Sequence, residues 1–582
     1  MKHVPLFAIE SSFTEEVSVD VIGKPLSPSA QRGARDKVLQ VHPKDNVLVA
    51  LTGLKNGEEV TASGKTFSLL ADVPAKHKFV TADLGAGGPI IMYGISIGRA
   101  VEPLRQGTLI TTKNVRHFAA EVEGKFGFYE WTAPDVSRWR QRTFLGYHRS
   151  DGQVGTRNHW LVIPLVFCEN RNVAVLKQAF EEELGYAPPP VYRGQVATLV
   201  GLYKGGKLQG ASQPGSERTA TVHPGRRVFS NVDGIKFLTH EGGCGGTRQD
   251  AGGLVGLLAG YIHHPNVAGA TILSLGCQNA QVELLRAEIL KRNPAFNKPL
   301  IVIEQQQSRS EFGMISQAIQ ETFLGMVEAD KCKREPAPVS KLTVGLKCGG
   351  SDGFSGISAN PAIGHLADMM AALGGRTILS EFPELCGVEQ ELVNRCVRPE
   401  IADRFLRLMR DYNARAQAVG SGFDMNPSPG NIRDGLITDA MKSAGAAKKG
   451  GTSPVAAVLD FPEYASAPGL NLLCTPGNDV ESVTAQVGSG ANVVLFTTGL
   501  GTPTGNPIAP VAKISTNSDL AQRMADIIDL DAGPIISGEK TVEETGEEIL
   551  ELVTRIASGE VKTKAETLSQ DDFIPWKRGV SL

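Results

Sequence analysis

The chain has 582 residues, 41% of them apolar and 21% charged, which is typical of an ordinary globular protein. Its 59 basic and 62 acidic residues leave a formal charge of −3, which indicates neither a nucleic-acid-binding surface nor a disordered acidic tail. Its longest apolar runs are far shorter than the roughly 18 residues of a membrane span, and the start lacks the apolar stretch of a secretory signal. Eight cysteines are too few for a disulfide scaffold, so we expect a cytoplasmic protein.

The residue pattern divides the chain into five consecutive parts. Residues 1–36 are polar and weakly periodic, and we treat them as an N-terminal extension. Residues 37–117 carry short β-like runs between glycine turns, which predicts a small all-β module. Residues 118–143 form a linker. Residues 144–335 and 336–582 alternate apolar strands with amphipathic helices, which predicts two α/β domains.

Individual elements can also be predicted. In the β module, the clearest strands are Val47–Leu51, Phe67–Leu70, Pro89–Gly94 and Thr108–Thr112. The clearest helices are Gln281–Arg292, Glu311–Val327, Val388–Ala418 and Thr541–Ala557, and the last begins with the capping-box spacing Thr541-Val-Glu-Glu544. A glycine- and proline-rich insert, Ala187–Arg226, is expected to form an extended surface excursion. The charged, proline-bearing segment Lys331–Ser340 is expected to mark a domain boundary.

A cysteine closes five apolar runs, each followed by a polar or glycine-rich loop: Cys168, Cys244, Cys277, Cys348 and Cys474. Ligands of open parallel sheets bind outside the carboxyl ends of strands, so the five thiols are predicted to point at one crevice. They either fill tight strand ends as small apolar side chains or form a soft site suited to iron or zinc. The chain has no CxxC spacing, so any cluster would have to be assembled from separate loops.

Three glycine-rich loops are typical of anion binding: Gly242–Gly246, Cys348–Gly356 and Thr497–Gly505. Glycine lets backbone N–H groups approach an anion closely, and a following helix adds its dipole. The Walker A and dinucleotide-binding patterns are absent, which leaves the carboxylate of a hydroxy acid as the predicted ligand type. The alternative is that these glycines serve close packing.

Further polar segments complete the set of candidates. Asn426-Pro-Ser-Pro-Gly-Asn431 either binds the hydroxyls of a polyol or caps a turn, and Arg433 beside it is a candidate carboxylate clamp. In the β module, His42 and Asp45 precede a strand, and His77 lies between two lysines. A neutral imidazole binds metal or acts as a base near pH 7, although a surface position would equally suit each histidine.

These motifs resemble one family. Gly345–Pro361, which reads GLKCGGSDGFSGISANP, closely resembles the altronate/galactarate dehydratase family. Similar resemblances are carried by Leu273–Gln278, Asn426–Asn431, Pro468–Asn471, Phe496–Pro503 and, at the entry to the family's second domain, Gly146–Asn158. His42–Asn46 and His77-Lys78 look like its N-terminal β-clip (SAF) module. The resemblance implies an α/β fold: a small β-clip module followed by two Rossmann-like domains.

The resemblance also implies an activity. The family dehydrates six-carbon sugar acids to 2-dehydro-3-deoxy acids, so we expect a hydro-lyase acting on altronate first and galactarate second. It implies a divalent metal, Fe2+ before Mn2+, with a cysteine-held iron–sulfur cluster as the alternative. The expected partner is a small-molecule sugar acid, with no nucleic acid and no membrane, and the expected assembly is a homodimer. The alternative of another class is a non-catalytic sugar-acid or metal-binding protein.

The implied chemistry assigns roles to residues. A base must remove the weakly acidic C2 proton, an acid must accompany the C3 hydroxyl out, and the developing enediolate must be stabilised. The candidate catalytic residues are His42, His77, Lys78 and Asp352. The candidate substrate-binding residues are Gly349, Gly350, Ser351, Ser355, Asn360, Arg157, Asn158, Asn426, Ser428 and Asn431. The candidate metal ligands are His42, Asp45, Cys168, Cys244, Cys277 and Cys348.

Overall fold

The structure, a computed structural model, describes residues 36–119, 121–188, 191–206, 227–579 and 581. It confirms the coarse fold class, a small N-terminal β-rich module followed by parallel-sheet α/β structure. The predicted N-terminal extension lies outside the described residues apart from Asp36. Within the described ranges, helices long and apolar enough to span a bilayer are absent.

The β module consists of short antiparallel strands around a small core. Two of the predicted strands are found nearly in place, and the Phe67 strand begins two residues earlier than predicted. The predicted strand Thr108–Thr112 is wrong: only an isolated bridge joins Leu109 to Phe79, because the Asn114 side chain holds a turn by accepting a hydrogen bond from the Thr111 N–H at 2.7 Å. The strands are β1 Val38–Leu39, β2 Val47–Ala50, β3 Glu59–Ala62, β4 Lys65–Ser68, β5 Lys78–Val80, β6 Pro89–Met92, β7 Ile95–Ala100 and β8 Val115–Arg116.

The predicted linker lies along the C-terminal domain. The Tyr129 hydroxyl donates to the Thr452 carbonyl at 2.7 Å, and the Trp131 indole donates to the Thr452 hydroxyl at 3.1 Å. Farther along, Arg138 pairs with Glu547 at 3.0 Å. The linker that follows the β module is therefore bonded to the C-terminal domain.

A three-stranded antiparallel sheet follows, with β9 (Thr143–His148) at its centre between β10 (Val154–Gly155) and β15 (Arg334–Pro338). The strand β15 lies inside Lys331–Ser340. The segment predicted to mark a domain boundary is therefore a strand paired with β9. Proline is tolerated in it because β15 is an edge strand.

The second domain is built on a parallel sheet ordered β12–β11–β13–β14. Its central strands β11 and β13 are buried along their whole length, as expected of a sheet covered on both faces. The two predicted helices of this region are confirmed within two residues. A helix, α2, lies in the predicted insert and corrects its description as extended. The elements are β11 His159–Pro164, β12 Gly234–Phe237, β13 Val267–Ser274, β14 Leu300–Glu304, α1 Asn170–Glu183, α2 Val191–Lys204, α3 Arg248–His263, α4 Val282–Arg292 and α5 Glu311–Ala329.

The C-terminal domain is built on a seven-stranded parallel sheet ordered β18–β19–β17–β16–β20–β21–β22. Its strands are β16 Thr343–Cys348, β17 Arg376–Leu379, β18 Val455–Leu459, β19 Gly469–Leu473, β20 Val493–Thr498, β21 Val511–Ser515 and β22 Leu530–Asp531. The strand β16 lies at the centre, so the loop after it emerges in the middle of the carboxyl edge.

Around this sheet, two helices were wrongly predicted as a single one. Val388–Ala418 is two helices, because Pro399 occupies the first turn of the second and Arg398 before it is extended. The predicted capping box of Thr541 and Glu544 is confirmed. The helices are α6 Ala359–Ala372, α7 Glu389–Arg395, α8 Pro399–Ala418, α9 Pro429–Arg433, α10 Asp439–Ala447, α11 Asp479–Gly488, α12 Ser518–Arg523, α13 Pro534–Ser537, α14 Val542–Ala557 and α15 Lys564–Thr567.

The β module docks on the C-terminal domain beside the loop that follows β16. The Lys78 ammonium donates to the Gly435 carbonyl at 2.7 Å, and the Thr438 hydroxyl donates to the Ile97 carbonyl at 2.7 Å. A Cβ on Gly356 would lie 2.3 Å from the Tyr93 hydroxyl, so this position requires glycine. The glycine-rich loop is therefore held against the β module from one side.

Candidate active site

A cavity of about 790 Å³ opens at the carboxyl edge of the seven-stranded sheet. Cys348, Gly349 and Gly350 line it from the end of β16, and Asn478 and Asp479 line it from the start of α11. Gly350 has φ +58, and a Cβ on Gly349 would lie 2.5 Å from the Asp479 carboxylate. The glycines predicted to cradle an anion thus let the backbone itself form the cavity wall.

Behind this wall lies a buried cluster of charges. The Lys347 ammonium pairs with Glu381 and, at 2.8 Å, with Asp479. Lys449 pairs with Glu381 at 2.7 Å and donates to the Cys348 sulfur at 2.8 Å. Burial lowers the pKa of both lysines, but the neighbouring carboxylates outweigh burial and raise it, so both ammoniums stay charged.

Glu381 has an unusual backbone. Its φ of +71 lies in the left-handed region, which costs a residue with a side chain roughly 1–3 kcal/mol. The Thr475 hydroxyl accepts a hydrogen bond from its N–H at 3.0 Å, and two ammoniums hold its carboxylate. Strain retained in this way is typical of functional sites.

Glu384 and Lys442 form the part of the charge cluster that faces the cavity. The Lys442 ammonium is 2.7 Å from Glu384 Oε1 and donates to the Asn426 side-chain oxygen at 2.9 Å. The Cys348 sulfur lies 3.5 Å from Glu384 Oε2. The arrangement places one carboxylate, one ammonium and one thiol on the same wall.

The protonation states of these groups follow from their surroundings. Burial raises the pKa of the Cys348 thiol to about 11, so it is neutral near pH 7. Burial also favours the neutral form of Glu384, but Lys442, Lys347 and Lys449 outweigh burial and lower its pKa to about 2. Glu384 raises the pKa of Lys442 against the effect of burial. The cavity therefore presents a carboxylate and an ammonium in contact.

The predicted substrate-binding residues of this region separate into two groups. Those that line the cavity are Gly349, Gly350, Asn426, Ser428 and Asn431. Ser351, Ser355 and Asn360 lie behind it: Ser355 donates to Asp352 at 3.0 Å, and Asn360 donates to the Gly445 carbonyl at 2.9 Å. Asn431 connects the two groups, because its amide donates to the Ser351 carbonyl at 2.7 Å.

Asp352 lies where the loop meets the β module. It is fully buried, pairs with Lys76 at 3.0 Å and accepts from the Thr516 hydroxyl at 3.0 Å. Burial lowers the pKa of the neighbouring Lys78 to about 7 and also lowers that of His77. Lys78 and His77 thus lie beside Gly353 and Gly435, next to the loop but outside the cavity lining.

His42 and Asp45 lie together at a turn of the β module. Asp45 accepts from the His42 N–H at 2.9 Å and from the Gly94 N–H at 2.8 Å, so both carboxylate oxygens hold backbone. Burial raises the pKa of Asp45 to about 6. The structure brings neither residue to the cavity lining.

Arg157 and Asn158 lie in the interior between the domains. Arg157 pairs with Glu566 at 2.7 Å and donates to the Ile556 carbonyl at 2.9 Å. Asn158 donates to the carbonyls of Asn231 and Ala329 at 2.8 and 3.0 Å. These contacts join separate segments of the chain, and neither residue lines the cavity.

The five strand-end cysteines belong to two sheets, and Cys348 is the one among them that lines the cavity. Cys348 and Cys474 end strands of the seven-stranded sheet and are buried, whereas Cys168, Cys244 and Cys277 follow three neighbouring strands of the second domain and are exposed. The loops of this exposed trio are bonded together: the Phe167 N–H donates to the Gly242 carbonyl at 3.1 Å, and the Asn279 N–H donates to the Gly243 carbonyl at 2.9 Å.

Two sets of donors at these strand ends can be tested for metal binding. The donor atoms of Cys348, Glu381 and Glu384 lie within 4.8 Å of one another. Each already pairs with a buried lysine, so a divalent cation there would add charge to a neutralised cluster, and this set fits a resident ion poorly. In the described part of the chain, no lysine or arginine pairs with the exposed trio, and the three sulfurs do not all lie within 4.8 Å of one another.

Sequence reasoning missed Glu381, Glu384, Lys442, Lys449 and Asp479. One signal was present: Glu381 and Glu384 follow the end of β17, where ligand-binding residues of a parallel sheet collect. Lys442 and Lys449 carry no comparable local pattern. Their role depends on how α10 and the residues just after it pack beside the 3-10 helix Phe382–Leu385.

Comparison with known proteins gives full-length similarity. Three family descriptions match: the altronate/galactarate dehydratase SAF domain over residues 36–117, the D-galactarate dehydratase/altronate hydrolase second domain over 146–330, and the D-galactarate/altronate dehydratase C-terminal domain over 339–581. Altronate dehydratase from Escherichia coli (strain K12) is 31% identical over 544 residues, covering 94% of this chain and 99% of that protein.

Two further relatives are similar to the same extent. Altronate dehydratase from Bacillus subtilis (strain 168) is 30% identical over 551 residues, covering 94% of this chain and 99% of that protein. Galactarate dehydratase (L-threo-forming) from Escherichia coli (strain K12) is 30% identical over 530 residues, covering 90% of this chain and 93% of that protein.

Proposed function

This chain belongs to the D-galactarate/altronate dehydratase family, and we propose that it removes water from a hexonate, D-altronate, to give 2-dehydro-3-deoxy-D-gluconate. The observation that carries the proposal is the pair of Glu384 and Lys442 in the wall of the cavity. A carboxylate and an ammonium in contact are the groups that α-proton removal beside a carboxylate requires.

The charge of the cavity favours a hexonate over a hexarate. Among the described residues that line the cavity, Lys442 is the one basic side chain, whereas Glu384 and Asp479 are acidic. A second substrate carboxylate would meet no second cation on this lining. Galactarate is therefore the second candidate, supported by its dehydratase among the relatives.

We assign the steps to residues as follows. Lys442 and the backbone N–H group of Gly350 bind the substrate carboxylate and stabilise the enediolate. Glu384 removes the C2 proton. Its low pKa depends on Lys442, so a substrate carboxylate that shares the ammonium makes Glu384 more basic. The carboxyl formed on Glu384 then protonates the departing C3 hydroxyl, which leaves as water.

The remaining polar groups of the cavity suit the hydroxyls of a sugar chain. Asn426 lies beside Lys442, and Ser428 and Asn431 form a capping box that fixes their side chains. Both parallel sheets are Rossmann-like in this proposal, with ligands held at the carboxyl ends of their strands. A cytoplasmic location and a homodimer are further predictions.

For the cofactor we propose iron held by Cys168, Cys244 and Cys277 as an iron–sulfur cluster. The support for this proposal is that the three cysteines follow adjacent strands and that their loops are hydrogen-bonded to one another. None of the three cysteines lines the cavity, so no step of the reaction is assigned to this cluster. Single Fe2+ or Mn2+ ions are the second candidate.

The test is product formation from a panel of hexonates and hexarates under anaerobic conditions with Fe2+. We expect a 2-keto-3-deoxy acid from D-altronate, with turnover at least tenfold above galactarate. Turnover of galactarate above that of altronate would transfer the assignment to the hexarate. Lack of turnover on every acid of the panel would refute the dehydratase proposal.

A further inference from the structure

A second group of potential metal ligands lies where the β module meets the C-terminal domain. His117 follows β8, Cys386 follows the short 3-10 helix Phe382–Leu385, and Asp439 is the first residue of α10. The imidazole, thiol and carboxylate atoms of these three residues all lie within 4.8 Å of one another. None of the three lines the cavity.

The three segments that carry these residues are packed together. Gly387 has φ +91, and a Cβ there would lie 3.1 Å from the Cβ of Ala440 and 3.6 Å from the Cβ of Ala119. The residues next to Cys386, Asp439 and His117 are therefore in close contact. Their convergence is fixed by the backbone and does not depend on the ligand side chains alone.

One buried oxygen of the group lacks the partner that burial demands. Asp439 is 3% exposed, and its Oδ2 has no hydrogen-bond partner among the described residues. The Nδ1 atom of His117 pairs with the other oxygen, Asp439 Oδ1. A buried carboxylate oxygen without a donor is costly, and a cation bound to Asp439 Oδ2 would supply the missing interaction.

We propose that His117, Cys386 and Asp439 bind one zinc ion, with water in the fourth position. Imidazole, thiolate and carboxylate are the ligands that zinc takes in proteins, and three protein ligands plus water is a common zinc arrangement. A hard cation such as Mg2+ would not select the thiolate. This site is separate from the cysteine trio and does not depend on the proposed activity.

The position of the site indicates what the zinc does. Cys386 is two residues after Glu384, and Asp439 is three residues before Lys442. An ion bound to both fixes the two segments that carry this pair, and its third ligand ties the β module to them. The zinc is thus a structural clamp that holds the docked β module and the cavity wall in register.

The experiment measures metal binding in a background where the exposed trio is broken. Cys277→Ser protein is stripped with a chelator and titrated with Co2+ and Zn2+, beside Cys277→Ser/Cys386→Ser. We expect one tight zinc per chain and a thiolate-to-cobalt charge-transfer band with Cys277→Ser. In the double variant we expect the band to disappear and zinc affinity to fall by more than the roughly 10–100-fold typical of losing a supporting residue around a metal.

Two further variants make the test independent of misfolding. Cys277→Ser/Asp439→Asn keeps the shape of the Asp439 side chain. Its zinc affinity should fall to a similar degree, but the charge-transfer band should still form at saturating Co2+, because Cys386 is present. Cys277→Ser/Cys332→Ser removes an unrelated thiol and should bind zinc as Cys277→Ser does. Equal zinc affinity in Cys277→Ser and Cys277→Ser/Asp439→Asn, or a Cys277→Ser protein without the band, would overturn the proposal.

Discussion

The Lys442 ammonium and the Glu384 carboxylate are 2.7 Å apart in the wall of the cavity. Behind them, Lys347 and Lys449 pair with Glu381, so the charged groups under the cavity wall already have partners. A substrate carboxylate that enters the cavity competes for Lys442 alone. The contact between these two residues is therefore the centre of the proposed chemistry.

Lys442→Met should chiefly weaken substrate binding. The variant loses the one cation of the described cavity lining and leaves Glu384 without its nearest partner, so we expect KM for altronate to rise at least tenfold and kcat to fall as well. Lys540→Met, which removes an exposed ammonium paired with Glu548, is the matched control and should behave as wild type. An unchanged KM for Lys442→Met would remove the proposed carboxylate contact.

Much of the site's framework could be predicted from the sequence. The loop after β16 was visible because glycines, a strand and a helix adjoin in the chain, and Asn426–Asn431 was visible because prolines and capping residues cluster there. The buried cluster could not be predicted, since Lys442 in α10 and Lys449 just after it reach Glu384 and Glu381 only through tertiary packing beside the 3-10 helix Phe382–Leu385.

The cysteines show a second limit. Five strand ends with cysteines looked equivalent in sequence, but strand order decides which ends are neighbours. Cys168, Cys244 and Cys277 follow adjacent strands of one sheet, and Cys348 belongs to another. Arg157 and Asn158 were predicted to bind substrate because they are polar residues in a family motif. In the structure, both side chains bond to other segments of the chain.

Arg157→Met should destabilise the fold without a specific effect on catalysis. The variant removes the arginine partner of the partly buried Glu566 and the bond to the Ile556 carbonyl, which typically costs about 1–3 kcal/mol. We expect a lower urea midpoint with wild-type KM for the folded fraction. Arg142→Met, at an exposed ion pair, should shift the midpoint little. A raised KM at unchanged stability would instead show that Arg157 binds substrate.

Lys78 predicts a dependence of stability on pH. Burial lowers its pKa from 10.5 to about 7, so between these values the unfolded chain holds a proton that the folded chain has released. The free energy of unfolding should therefore rise with pH across this window, by at most about 1.4 kcal/mol per pH unit, and level off below it.

The measurement is urea unfolding at several pH values for the wild type and Lys78→Met. The variant should show a smaller rise between pH 7 and 10, because the buried Lys513 and Lys298 also contribute to it. Lys65→Met, at an exposed position of the same module, should keep the full rise. Equal slopes for the wild type and Lys78→Met would show that Lys78 is protonated in the folded protein.

The proposed cluster predicts the iron content. Protein purified without oxygen should be brown and hold several irons per chain together with acid-labile sulfide. Cys244→Ser should lose most of both, because three thiols are needed to hold the cluster. Cys474→Ser, at a buried strand end of the other sheet, should keep them. If the protein held iron but no sulfide, and Cys244→Ser kept that iron, the metal would be a single ion bound at another site.

The most direct test of the central claim is kcat of Glu384→Gln on D-altronate, measured beside the wild type and Glu547→Gln. The amide keeps the shape of the side chain but cannot take the C2 proton, so we expect kcat to fall by about 10²–10⁴ with a much smaller change in KM. Glu547→Gln, at an exposed ion pair, should turn over as wild type. Wild-type turnover by folded Glu384→Gln would contradict the account and place the base elsewhere.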